Sequence, residues 1–120
     1  MLKYLVTGAA MTCAASLAFA ECRDEVGYVA SFKVKAGSEA AFEAAIVNVA
    51  AVVLANEPDV LLYAPFRAAD GTYYMMERYP SLEARNVHGS SAEVQAAFPS
   101  IGPHLDGRPT IVPVERVCAE

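Results

Sequence analysis

The chain contains two histidines, His88 and His104. An imidazole changes charge near neutral pH, so it can move a proton, and as the neutral ring it can bind a metal or a haem iron. His88 ends the run Ser81-Leu82-Glu83-Ala84-Arg85-Asn86-Val87 and precedes Gly89, a corner that could face a pocket. The plainer reading is a helix-end histidine that favours the C-terminal dipole and bonds a carbonyl. His104 sits in a stretch of Gly and Pro and reads as an exposed loop residue. Glu77 lies among aromatic residues. A buried carboxylate needs a partner, and Arg78, Arg67 or Arg85 could serve, in a structural salt bridge or in a site. Tyr63, Tyr73, Tyr74 and Tyr79, with Met75 and Met76, suit a flat ligand and equally suit core or dimer packing. The candidate catalytic residue is therefore His88, and the candidate substrate contacts are Tyr63, Tyr74, Met76 and Glu77. No Ser-His-Asp spacing, Gly-rich phosphate loop or HExxH run occurs. No motif calls for a flavin, a nicotinamide or a metal.

The elements that position these residues follow from periodicity. Val26 to Lys35 alternates, with Tyr28, Ala30, Phe32 and Val34 on one face, and predicts a first strand. Ala36-Gly37 turns the chain, and Ser38 is placed to cap a helix. Phe42, Ile46, Val49 and Val53 form one apolar stripe along that helix, which Glu57-Pro58 ends. Val60 to Arg67 predicts a second strand, Ala69-Asp70-Gly71 a hairpin turn, and Thr72 to Tyr79 a third strand. Pro80 ends it, Ser81 caps a short helix, and Gly89 stops that helix. Ser90 and Glu93 have capping-box spacing before Val94, Ala97 and Phe98. Ser100 to Pro109 reads as an irregular connection and Thr110 to Val117 as a fourth strand. The order β-α-β-β-α-β is the ferredoxin-like split unit of the α+β class, with an antiparallel sheet. In that topology the second and fourth strands are edges, where Pro65 and Pro113 are tolerated. The third strand is apolar on both faces and needs two covers. The helices supply one. A second copy of the chain is the expected other, which predicts a homodimer.

With 120 residues the chain has room for one domain. Residues 1–20 carry Lys3, an apolar Ala-rich run from Leu5 to Ala20 and a final Ala18-Phe19-Ala20. This is the pattern of a cleaved secretory signal. Residues 21–120 then form the domain, exported to the periplasm or beyond. Without Lys3 it has 8 basic against 14 acidic residues, a net charge of −6. No basic stripe exists, so nucleic acid is a poor partner, and so is an anionic membrane surface once the signal is removed. Cys22 and Cys118 remain at the two ends. In an exported chain such a pair reads as a disulfide, the alternatives being free thiols or a metal pair.

Three pieces of the chain resemble the antibiotic biosynthesis monooxygenase (ABM) family of the dimeric α+β barrel superfamily, which includes quinol monooxygenases. They are Phe32-Lys33-Val34-Lys35-Ala36-Gly37-Ser38-Glu39 with Phe42, then Glu57-Pro58-Asp59-Val60-Leu61-Leu62-Tyr63, then Glu77-Arg78-Tyr79-Pro80-Ser81-Leu82-Glu83-Ala84 with His88. The resemblance spans roughly Val26 to Val117. It implies a ferredoxin-like protomer paired through its sheet, and cofactor-free oxygenation of a small aromatic or quinol with O₂. A related branch degrades haem through a histidine matching His88, with an Asn and a Trp. This chain has no Trp, and its first strand has no Asn. The resemblance therefore does not reach haem degradation, while haem binding through His88 stays open. The expected activity is a cofactor-independent monooxygenase. A non-catalytic periplasmic binding module for a hydrophobic molecule or haem is the second reading, and a structural dimer with a filled barrel the third.

Overall fold

A computed structural model describes residues 22–119. The expected signal sequence, residues 1–20, lies outside the described residues. Seven main elements follow in order. They are β1 (Val26–Phe32), α1 (Glu39–Asn56), β2 (Leu62–Arg67), β3 (Tyr73–Tyr79), α2 (Leu82–Asn86), α3 (Ala92–Ala97) and β4 (Thr110–Glu115). Two 3₁₀ turns, Phe98–Ser100 and Gly102–His104, link α3 to β4. The antiparallel sheet has the order β2-β3-β1-β4. This is the ferredoxin-like α+β fold. Its second crossover helix is broken into α2, α3 and the 3₁₀ turns, where Gly89 (φ +75°) and Pro99 interrupt it.

One face of the sheet carries the core. Phe42, Ile46, Val49 and Val53 of α1 are fully buried against it. They meet Ala30 and Phe32 of β1, Tyr63 of β2, Tyr73 and Met75 of β3, and Val94 of α3. The two-residue period of a strand puts Tyr73, Met75, Glu77 and Tyr79 on this inner face, and Tyr74, Met76 and Arg78 on the other. Gly27 is required where β1 passes β3, because a Cβ there would collide with the Glu77 carbonyl.

Pro65 and Pro113 lie in the edge strands β2 and β4, as their missing N–H groups demand. The hairpin turn forms at Asp70-Gly71, with Gly71 at φ +88° and the Asp70 carboxylate accepting from Thr72 N at 2.9 Å. Three local expectations are corrected. β1 ends at Phe32, because Lys33 to Lys35 leave the sheet and pair with the loop at His104 to Asp106. β2 starts at Leu62, because Val60 N is held in a turn by Glu57 O. The cap of α3 is Ser91, whose hydroxyl accepts from Val94 N at 3.3 Å, rather than Ser90. Ser38 occupies the N-cap of α1, but its hydroxyl makes no capping bond.

Cys22 and Cys118 form a disulfide with Cα atoms 6.1 Å apart across 96 positions of sequence. The start of β1 runs beside the end of β4, with Val26 opposite Glu115, so the topology alone brings them together. Beside them Glu25 accepts from Arg78 and from Arg116. The Arg78 hydrogen bond chiefly holds the Glu25 carboxyl below its ordinary range. A loop of this length predicts that Cys118→Ser lowers stability by about 2–4 kcal/mol. Urea titration of the oxidised protein and the variant measures it, and equal stability would show that the bridge constrains nothing.

Candidate active site

Register sets up the site. Tyr63 of β2 and Tyr28 of β1 both stand opposite Glu77 of β3 on the inner face. These three side chains make one row across the sheet. Above the row sits the corner after α2. Ser81 starts α2 by accepting from Ala84 N at 3.1 Å. The helix lasts little more than one turn, and His88 N then bonds Arg85 O at 3.1 Å. Arg85 and His88, three residues apart, both face the sheet, as i and i+3 side chains do.

His88 is clamped from a distant part of the chain. Its Nδ1 lies 2.8 Å from Glu57 Oε1 and 3.1 Å from Oε2. Glu57 caps the C-terminus of α1, where the helix dipole disfavours a carboxylate. The imidazole offsets that cost, and Gly89 N adds a 3.4 Å bond. A carboxylate only accepts, so Nδ1 is assigned the proton. Nε2 then carries the free lone pair of the neutral ring. It faces Glu77, whose Oε2 is 3.9 Å away, too far for a hydrogen bond. The rings of Tyr63, Tyr79 and Phe98 surround the imidazole at 5.3, 5.6 and 5.7 Å.

Glu77 is buried, and the Tyr79 hydroxyl donates to its Oε2 at 2.7 Å. Burial pushes its carboxyl above the ordinary range, and the charge of Glu57 adds to this. The Tyr79 bond and a charged His88 oppose it without reversing it. The Tyr63 phenol is pushed far up by burial, then by Glu77 and Glu57, and stays neutral. The Tyr79 phenol is pushed far up as well, by burial, then by the charge of Glu77 and its bond to it.

His88, Glu77 and Tyr63 line a cavity of about 530 Å³, with Glu57 and Tyr79 behind them. Ile46 and Val49 of α1, Met75, Phe98 and Ile101 give it apolar walls, and Ala30 leaves its floor open. A mostly apolar cleft of this size with a few convergent polar groups suits a small organic ligand. Of the residues singled out in the sequence, His88, Tyr63 and Glu77 are brought together here. Tyr74 and Met76 are not: they lie on the opposite face, Met76 being 41% exposed there. Alternation left both faces of β3 equally apolar, so sequence could not choose between them. His104 contributes backbone bonds to Lys35 and Ile101 and does not line the cavity. Glu77 takes none of the three arginines considered for it. Arg78 holds Glu25, Arg67 lies near Glu43, and Arg85 stacks on Tyr28. Glu57 was legible only as a helix end. The available signal was an acid at a helix C-terminus, a position that calls for compensation. No cluster of three metal-ligating side chains occurs among the described residues.

Residues 26–100 match the model of the antibiotic biosynthesis monooxygenase family. The chain belongs to the ABM family. A Caulobacter crescentus structure described as a candidate antibiotic biosynthesis monooxygenase is similar to this ABM protein at 34% identity. The match has a TM-score of 0.72 and covers 82% of this chain and 94% of that one. A conserved Methanosarcina mazei protein shares the fold at 17% identity and a TM-score of 0.74, covering 82% of this chain and 99% of that one. A Nitrosomonas europaea structure described like the Caulobacter one shares it at 15% identity and 0.69, covering 77% and 89%. No curated protein matches the chain.

The raised Glu77 carboxyl gives a stability test with a defined sign. A carboxyl whose folded pKa is raised favours the fold when protonated, and that contribution is lost as pH rises through the folded value. Gln mimics the protonated form. Glu77→Gln should therefore melt higher than the parent at neutral pH, and the gain should shrink in acid, where the parent protonates Glu77. Calorimetry at several pH values would expose the opposite trend if Glu77 is instead stabilised as an anion.

Proposed function

We propose that this ABM protein is a cofactor-independent monooxygenase that oxidises a small phenol or quinol with O₂. The observation that carries the reading is the Glu57–His88 pair, which holds Nδ1 and leaves Nε2 facing an apolar cavity. Membership of the family supports the same class of chemistry. Nε2 takes the phenolic proton, and Glu57 offsets the imidazolium charge, the arrangement by which a carboxylate orients a histidine base. The phenolate gives an electron to O₂, and recombination forms a C–O bond at a ring carbon. His88 returns its proton to the peroxide. The O–O bond then breaks, water leaves with the distal oxygen and the ring hydrogen, and a quinone remains. The substrate supplies all the electrons, so no outside reductant is needed. Burial raises the Glu77 carboxyl above its ordinary range, and when it carries a proton it can donate to an oxygen of the bound ligand.

The bridge between Cys22 and Cys118 supports the reading of an exported protein in an oxidising compartment.

We also infer that the chain works as a homodimer joined through the outer face of the sheet. That face is apolar, with Phe66, Met76 and Val112 each more than 40% exposed beside Tyr74, Val29 and Val114. Tyr74 and Met76 then serve packing between protomers rather than the substrate. Met76→Lys should yield a monomer in light scattering at micromolar concentration, and an unchanged mass, or a monomeric parent, would remove the dimer.

Oxygen uptake with a panel of hydroquinones and naphthols tests the activity. His88→Ala should cut uptake above the autoxidation blank by about a hundredfold or more. Glu57→Gln should lower the rate by less than His88→Ala, because Nδ1 keeps an acceptor while the imidazolium formed in the reaction loses its counter-charge. Uptake indifferent to both changes would take the chemistry away from this pair. No uptake with any substrate would leave a binding module.

A further inference from the structure

The same cavity holds a cation that the proton chemistry does not use. Arg85 lines it opposite His88 along the row of Tyr63, Glu77 and Tyr28. Its guanidinium lies over the Tyr28 ring, 4.9 Å from the centroid. That contact satisfies the face of the group and leaves its edge, where every donor points. Along the edge, Nη1 reaches Gly27 O at only 3.4 Å. Nε is buried and bonds nothing. Arg78 and Arg116 hold Glu25, and Arg67 lies near Glu43, whereas Arg85 has no carboxylate partner among the described residues. A buried donor left unpaired costs stability, more so on a charged group. A guanidinium edge offers two parallel N–H groups to a planar anion.

We propose that Arg85 is an anion-recognition residue of this cavity, and that its ligand is a one- or two-ring aromatic carrying an anionic oxygen group, a carboxylate or a phenolate. The proposal rests on this cavity being the substrate site. Arg85 stacks on Tyr28 and His88 packs against Tyr63, and these two tyrosines flank Glu77 roughly two strand spacings apart, about 10 Å. A bicyclic aromatic with one acid group bridges such a span, with its ring between the apolar walls and its reacting end at Nε2. Arg85 also tells ligands apart. A neutral analogue of the same shape forfeits the charge-assisted bonds to the guanidinium.

Calorimetric titration with 2-naphthoate and its neutral isostere 2-naphthamide tests this for a carboxylate, and 4-nitrophenol tests it for a phenolate. The parent protein should bind 2-naphthoate about tenfold or more tighter than the amide. Arg85→Gln should erase the preference by weakening the naphthoate alone, and Arg85→Lys should restore part of it. If the anion taken is a phenolate, bound 4-nitrophenol should turn yellow at lower pH than the free compound, and Arg85→Gln should abolish that shift. The parent protein alone can overturn the proposal: equal affinity for naphthoate and amide with no shift for the nitrophenol does so, as does failure of all three probes to bind. Oxygen uptake separates the two readings. An anion preference without uptake removes the oxygenase and keeps Arg85 in its role, and uptake without the preference does the reverse.

Discussion

The bond between Glu57 and His88 joins two segments that the sheet alone would leave independent. Glu57 closes the long helix α1, and His88 sits at the broken corner after α2. Both side chains are largely removed from water, at 10% and 13% exposure. In such surroundings a lone carboxylate or a lone imidazolium is costly, and each offsets the other. The corner is thereby placed over the sheet row at Glu77, and the apolar walls from α1 and from Phe98 and Ile101 close around it. The orientation of Nε2, the burial of Glu77 and the position of Arg85 three residues upstream all depend on this one contact.

The environment sorts its ionisable groups by role. Two carboxyls lie near one imidazole, yet their surroundings differ. Glu57 meets Nδ1 and a backbone N–H, both donors. Glu77 accepts from one phenol and lies 3.9 Å from Nε2, beyond hydrogen-bond reach, and burial drives it toward its neutral form. Two acids in different surroundings thus flank one base, Glu57 at Nδ1 and Glu77 toward Nε2, and only Glu77 lines the cavity. Tyr63 and Tyr79 remain neutral and supply shape and a hydrogen bond rather than charge.

Much of the fold was readable because its signals were redundant. The α1 stripe, the prolines in the edge strands and the terminal cysteines each pointed to the same topology, and a cross-check of that kind survives errors of one or two residues at element ends. The site was less readable. His88 and Glu77 stood out through residue type and setting. Tyr74 and Met76 did not separate from Met75 and Glu77, because a strand apolar on both faces gives no sign of which face is inward. Glu57 and Arg85 depend on distance rather than spacing. The Glu57 partner is 31 positions away, and nothing local announces it.

The disulfide has a mechanical meaning. It joins residues separated by 96 positions just beyond the paired ends of the adjacent strands β1 and β4, so the domain is a nearly closed ring of chain. Tension applied at the two ends passes through one covalent bond and bypasses the sheet. The hydrogen bonds between β1 and β4 would otherwise be the first to part under such a pull. The length folded between the cysteines is withheld from extension while the bridge is intact, and the cavity is insulated from whatever tugs on the termini.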